Sequence, residues 1–194
     1  MSIFKYTLLI SIILLSGCAT FRDGANPAIS KWPIDKATKN KTLALQVTGK
    51  ALVNNQIKDV NVQFLEKWRE QVLRAYEDSN LFSKVNVGSE PADIRAEVVL
   101  TDKGEGSTGL AFLTGLTMLI IPSHVHEGFT IKTTFKDKEG KVLGISENAE
   151  FSDTWIQLFM FPLMPFYFPS SEVKDMLYDL NRNTIIDAHS KWVF

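Results

Sequence analysis

Three places in the 194-residue chain carry side chains whose types and spacing suit chemistry. Cys18 is the single cysteine, so no disulfide can form within the chain. His124-Val125-His126-Glu127 is the one cluster with metal-ligand character. In a strand its two imidazoles share a face, a spacing that binds Zn²⁺ if a third ligand arrives. His189 is the only other histidine and falls on the last predicted helix. The expectation is a polar strand edge just after Pro122, with no metal. Gly104-Glu105-Gly106-Ser107-Thr108-Gly109 fits the G-x-G-x-x-G spacing and follows a predicted strand. A dinucleotide site needs a helix next and an acidic residue on the second strand of a parallel unit. Neither is evident, so a flexible lead-in to the following segment is expected. No G-x-S-x-G elbow and no H-E-x-x-H occurs, and carboxylates such as Glu147 and Glu150 are spread over predicted solvent faces. No catalytic residue and no cofactor is therefore expected.

Cys18 gains its meaning from what precedes it. Tyr6 to Leu15 is an uncharged, mostly apolar run of ten residues behind Lys5, the length of an export-signal core and well short of the roughly 20 residues that span a bilayer. Ser16 and Gly17 are small, which lets a peptidase grip extended backbone beside the cut. Leu15-Ser16-Gly17-Cys18 resembles the lipobox of bacterial lipoprotein precursors, position by position. The resemblance implies a diacylglyceryl thioether on Cys18, cleavage before it and a third acyl chain on the new amine. It also implies outer-membrane sorting, because Ala19 rather than Asp follows the cysteine; the expected location is the periplasmic face of that membrane. Three chains, at about 0.8 kcal/mol per buried methylene, would hold the protein permanently.

Residues 18–194 then form the mature protein, with a formal charge of −2 once Lys5 is removed from a chain of net charge −1. That length suffices for one domain with a core and a tether. At 45% hydrophobic and 22% charged the composition is ordinary for a globular protein, and without a polybasic stretch it offers nucleic acid no electrostatic footprint. Residues 18–41 are broken by Asp23, Gly24, Asn26 and Pro27 and are expected to be a tether. Trp32-Pro33-Ile34 within it is expected to dock onto the body.

From Thr42 on, periodicity sets the elements. Thr42 to Thr48 alternates as a strand with Leu43, Leu45 and Val47 on one face. Val62 to about Asp78 is a helix capped by Asn61 or Asp59, with Phe64, Trp68, Val72 and Tyr76 as its stripe and Leu65 and Leu73 beside them. A turn with a short strand over 81–87 and a longer strand over 93–102 follow. Phe129–Phe135 and Lys141–Phe151 form a hairpin about Asp137–Gly140, with Leu143, Ile145 and Ala149 on one face. A second helix runs from about Ser171 to Lys191.

Two uncharged segments flank the hairpin. Gly109–Pro122 has fourteen residues, and Trp155–Pro169 has fifteen, with six aromatics and three prolines. Those prolines forbid a regular helix and most central-strand pairings. Antiparallel geometry brings both segments to the same end of the sheet. The expectation is that they pack on each other and complete the core. The alternative is an exposed apolar lobe that dips into lipid or receives a partner, in which Leu116, Ile120, Trp155, Phe159, Phe161 and Phe166 make the contact. If about 500 Å² were involved, burial at ~25 cal/mol per Å² would be worth ~12 kcal/mol.

The expected architecture is one small α/β (α+β) domain over 42–194: a mixed, mostly antiparallel sheet of four to five strands, covered by two long helices, with an apolar lobe. This element order resembles the periplasmic α/β lipoproteins that include the curli-secretion lipoprotein, the activators of penicillin-binding proteins and the N-terminal domain of TolB. The resemblance implies a non-catalytic accessory in envelope assembly or transport, acting through an envelope protein partner. Two other readings remain open. One is a membrane-inserting or pore-forming oligomer using 109–122 and 155–169; the other is a metal-dependent hydrolase using His124, His126 and Glu127.

Overall fold

The structure, a computed structural model, describes residues 17–24, 26, 29, 31–34 and 41–191. The export signal over residues 1–16, much of the segment expected to be a tether, and Trp192-Val193-Phe194 lie outside the described residues. In chain order the elements are β1 (Gly17–Arg22), β2 (Thr42–Val53), β3 (Gln56–Lys58), α1 (Val62–Asp78), β4 (Lys84–Val87), β5 (Ile94–Gly106), α2 (Thr108–Leu116), β6 (Ser123–Asp137), β7 (Val142–Gln157), a 3₁₀ turn (Leu158–Met160) and α3 (Pro169–Ser190). The strands form one mixed, mostly antiparallel sheet in the order β1-β7-β6-β5-β2-β3, with β4 on the other half of the β2 edge. Only β2–β4 and β2–β5 are parallel. The sheet thus has seven strands, not four or five; β1 and β3 are the additions that periodicity did not reveal.

Helices α1 and α3 cover one face. Ile94, Ala96, Val98 and Leu100 alternate inward from β5, and Phe129, Ile131 and Phe135 from β6, against Trp68, Val72 and Tyr76 of α1 and Met176, Leu177 and Leu180 of α3. Asn61 caps α1, its side chain accepting from the Gln63 amide at 2.8 Å. Gly49 of β2 lets α1 approach closely, because a Cβ there would lie 3.0 Å from Leu65 and from the Trp68 ring. Phe64 does not join the stripe; it sits at the helix start and is exposed. Leu143 and Ile145 share a face as expected, but it is the open face of the sheet, and both are exposed. The helix-covered side of β7 is instead polar, with Ser146, Glu150 and Ser152 buried and Asn148 half-buried.

That polar side explains β1. Arg22 donates to Glu150 through both Nε (2.7 Å) and Nη2 (3.0 Å), and through Nη1 to Asp179 of α3 at 3.0 Å. Asn26 donates to the same Glu150 at 3.2 Å. Glu150 is buried, and a buried carboxylate persists only when paired. Its partner pulls the N-terminal stretch into the fold, so residues 18–22 are an edge strand and not a tether. All six residues of β1 pair with β7, from Gly17 opposite Gln157 to Arg22 opposite Ser152. Trp32 and Ile34 pack against the core as expected, with the Arg182 guanidinium 5.1 Å from the Trp32 ring.

Candidate functional site at one end of the sheet

The register brings the end of β5, the start of β6, the end of β7 and the start of β1 to one pole of the molecule. β5 ends at Gly106, and Ser107 caps α2 by accepting from the Leu110 amide at 3.2 Å. A helix therefore does follow the glycine-rich stretch, where a flexible lead-in was expected. It leads into β6, which pairs antiparallel with β5, so the glycine-rich stretch does not open a parallel βαβ unit that could hold a dinucleotide.

The two uncharged segments meet at this pole, where the Leu158 amide donates to the Leu119 carbonyl at 3.0 Å. They do not complete the core. Phe166 is 75% exposed, Phe159 74%, Ile120 66% and Leu116 65%, while Trp155 and Phe161 are about two-fifths exposed. Packing cannot hide them because the second segment is spent on covering an edge. It folds along the free side of β1, where the Thr20 amide donates to the Tyr167 carbonyl at 3.0 Å and the Phe21 and Tyr167 rings lie 4.9 Å apart. That contact protects an edge strand from pairing with other chains but leaves the outer aromatics uncovered among the described residues. Phe161, Met164, Pro165, Phe168 and Ser171 line an open pocket of about 330 Å³ here. Cys18 lies at the same pole, opposite Ile156, and burial pushes its thiol pKa up, which disfavours the reactive thiolate.

The histidine pair occupies the open face just below. His124 and His126 do point to one side, and both engage the same oxygen of Asp153, through Nε2 at 2.6 Å and Nδ1 at 2.8 Å. Trp155 lies against the His124 ring with centroids 4.8 Å apart, and Phe151 stacks on His126 at 5.6 Å. The hydrogen bond from His126 holds the Asp153 pKa below the ordinary carboxylate value, with His124 adding to it. Glu127 is not part of this group: the next residue along a strand faces the opposite side, where burial raises its carboxyl pKa. No group of three His, Cys, Asp or Glu placed to hold a metal ion occurs among the described residues. Sequence reasoning missed Asp153, although the hairpin turn pointed to it. Counting pairs outward from Asp137, with one step added for the bulge between Phe135 and Lys136, sets Asp153 opposite His126.

No protein-family model matches the chain, and no curated protein matches it. Solved structures with a similar chain path include a DUF330 protein from Xanthomonas campestris, 9% identical with a TM-score of 0.42, covering 78% of this chain and 84% of that one. A minor lipoprotein from Acinetobacter baumannii is 12% identical at a TM-score of 0.36, over 79% and 87%. The PelC dodecamer from Paraburkholderia phytofirmans is 10% identical at 0.35, over 87% and 94%. At these TM-scores the likeness decides nothing about function.

Proposed function

We propose that the chain is a lipoprotein of the cell envelope, anchored through lipid on Cys18 to the periplasmic face of the outer membrane, that acts without catalysis by binding an envelope protein. The observation that carries this reading is the place of Cys18. It opens an edge strand bonded along its whole length to β7, at the pole where the uncharged segments stand exposed. An acyl group there would fix the body against the membrane rather than trail it on a linker. Far from the pole, Val142, Leu143 and Ile145 are exposed at the other end of the β6–β7 hairpin. Eleven residues of β7 separate Val142 from Asp153, about 36 Å at 3.3 Å per residue, so this patch faces away from lipid and suits a protein contact. The self-paired histidine cluster fits a bracing role between two strands. The test is the mass of the mature protein purified from envelopes, with cross-linking in place. Triacylated Cys18 and a stoichiometric cross-linked partner lost in Ile145→Asp are expected; a bare thiol, or no captured protein, overturns the reading.

A further inference from the structure

The charges on four adjacent strands stop at one level. Register places Glu105, His126, Asp153 and Phe21 in a single row across β5, β6, β7 and β1, with Arg22 one step below. Beyond that row no Lys, Arg, Asp or Glu occurs in residues 106–125, in 154–171, or in 17–21. Charge resumes only at Glu127 and at Glu172 in the first turn of α3. An aqueous surface has no need of such a level, and monomers rarely expose this much contiguous apolar area. The geometry points to a bilayer as what covers it: the pole inserts into one leaflet, with the Glu105–His126–Asp153 row at the water boundary.

The details fit a shallow, one-sided insertion. Trp155 and His124 sit two residues past the row, where an amphipathic ring belongs at a lipid–water interface. Phe159, Phe166, Phe112, Ile120 and Leu116 are the most exposed large apolar side chains of the two uncharged segments. Helix α2 has nine residues, about 14 Å at 1.5 Å per residue, and no helix among the described residues is long and apolar enough to cross. Prolines are tolerated here because the segment rests in the headgroup and upper acyl region, where freed backbone groups still meet water. The inference deepens the proposed anchoring, and rests on it for the choice of membrane surface.

The test uses the full lipidated protein in phosphatidylcholine vesicles. With Cys18 acylated, Phe166→Cys and, separately, Leu116→Cys each supply one free thiol, and Glu139→Cys on the distal turn is the control. A membrane-impermeant maleimide is expected to label the two thiols at the uncharged pole at least tenfold more slowly than Glu139→Cys, and equally fast once the protein is unfolded in guanidinium. Lipids brominated near the headgroup end of the acyl chain are expected to quench tryptophan emission, and Trp155→Phe to remove most of that quenching. Labelling of Phe166→Cys and Leu116→Cys as fast as Glu139→Cys overturns the insertion. Slow labelling without bromolipid quenching overturns it too, since a second copy or a protein partner would then be the cover. Intact mass reads the acylation of Cys18 independently, so failure of the anchor and failure of the insertion are told apart.

Discussion

At Asp102, on the helix-covered face diagonally across from Glu127, burial and then the Glu127 charge push the carboxyl pKa up to about 6. The folded protein therefore keeps a proton that the unfolded chain releases near 4. This contribution to stability is full below the unfolded pKa and is lost as pH rises through about 6. Asp102→Asn is expected to stabilise the protein by about 1–2 kcal/mol at pH 8, a discounted share of 1.36 kcal/mol per pKa unit because the group is partly wet. The gain should vanish at pH 4; urea melts at both pH values check it, and equal stability at pH 8 would mean a fully solvated carboxylate. Arg22 works in the opposite sense. Arg22→Ala leaves Glu150 buried without its ion-pair partner and is expected to cost about 3–5 kcal/mol, whereas Arg22→Met with Glu150→Leu should recover most of it. Ala19 is fully buried opposite Trp155, so Ala19→Asp would bury a charge as well as alter the residue expected to direct sorting. Its mislocalisation would not isolate either effect.

The elements divide by how local their causes are. α1 and α3 were legible because Trp68, Val72, Tyr76 and Met176, Leu177, Leu180 recur at helical spacing, and β5 because its apolar residues alternate. β1 was not, since its inward residues Thr20 and Arg22 read as polar and their partners, Thr154 and Glu150, lie more than 120 positions away. The strand of β7 was legible but its covered side was not: that side is built of Ser146, Asn148 and Glu150, and hydrophobic patterning has no means of seeing a polar core face. The histidine site was half legible. Alternation placed His124 and His126 together, but the grouping with Glu127 did not hold because that residue faces the other side of the strand, and Asp153 depended on a register shifted by a bulge. The division between core and lobe is testable at this scale. Leu180→Ala on α3 should cost about 2–5 kcal/mol, while Phe159→Ser and Phe166→Ser should each change unfolding free energy by less than about 0.5 kcal/mol. A large loss from either phenylalanine would place it in the core.

For the molecule as a whole, the row at which charge ends sets an orientation. The strands that reach it, β1, β5, β6 and β7, would stand along the membrane normal, with the β6–β7 turn at Lys138–Gly140 farthest from lipid. β1 gives Cys18 no slack, so a lipid on that sulfur and the lobe would act as one rigid contact. Because the uncharged segments proposed to insert carry no Lys, Arg, Asp or Glu, Coulomb attraction to lipid headgroups would have nothing to act on there. Raising NaCl from about 50 to about 500 mM shortens the screening length from about 14 Å to about 4 Å and should leave maleimide protection of Phe166→Cys unchanged. Adding anionic lipid should likewise leave it unchanged. A protection that fell with salt would instead mean that basic side chains elsewhere hold the body to the surface, with the uncharged pole turned toward a protein.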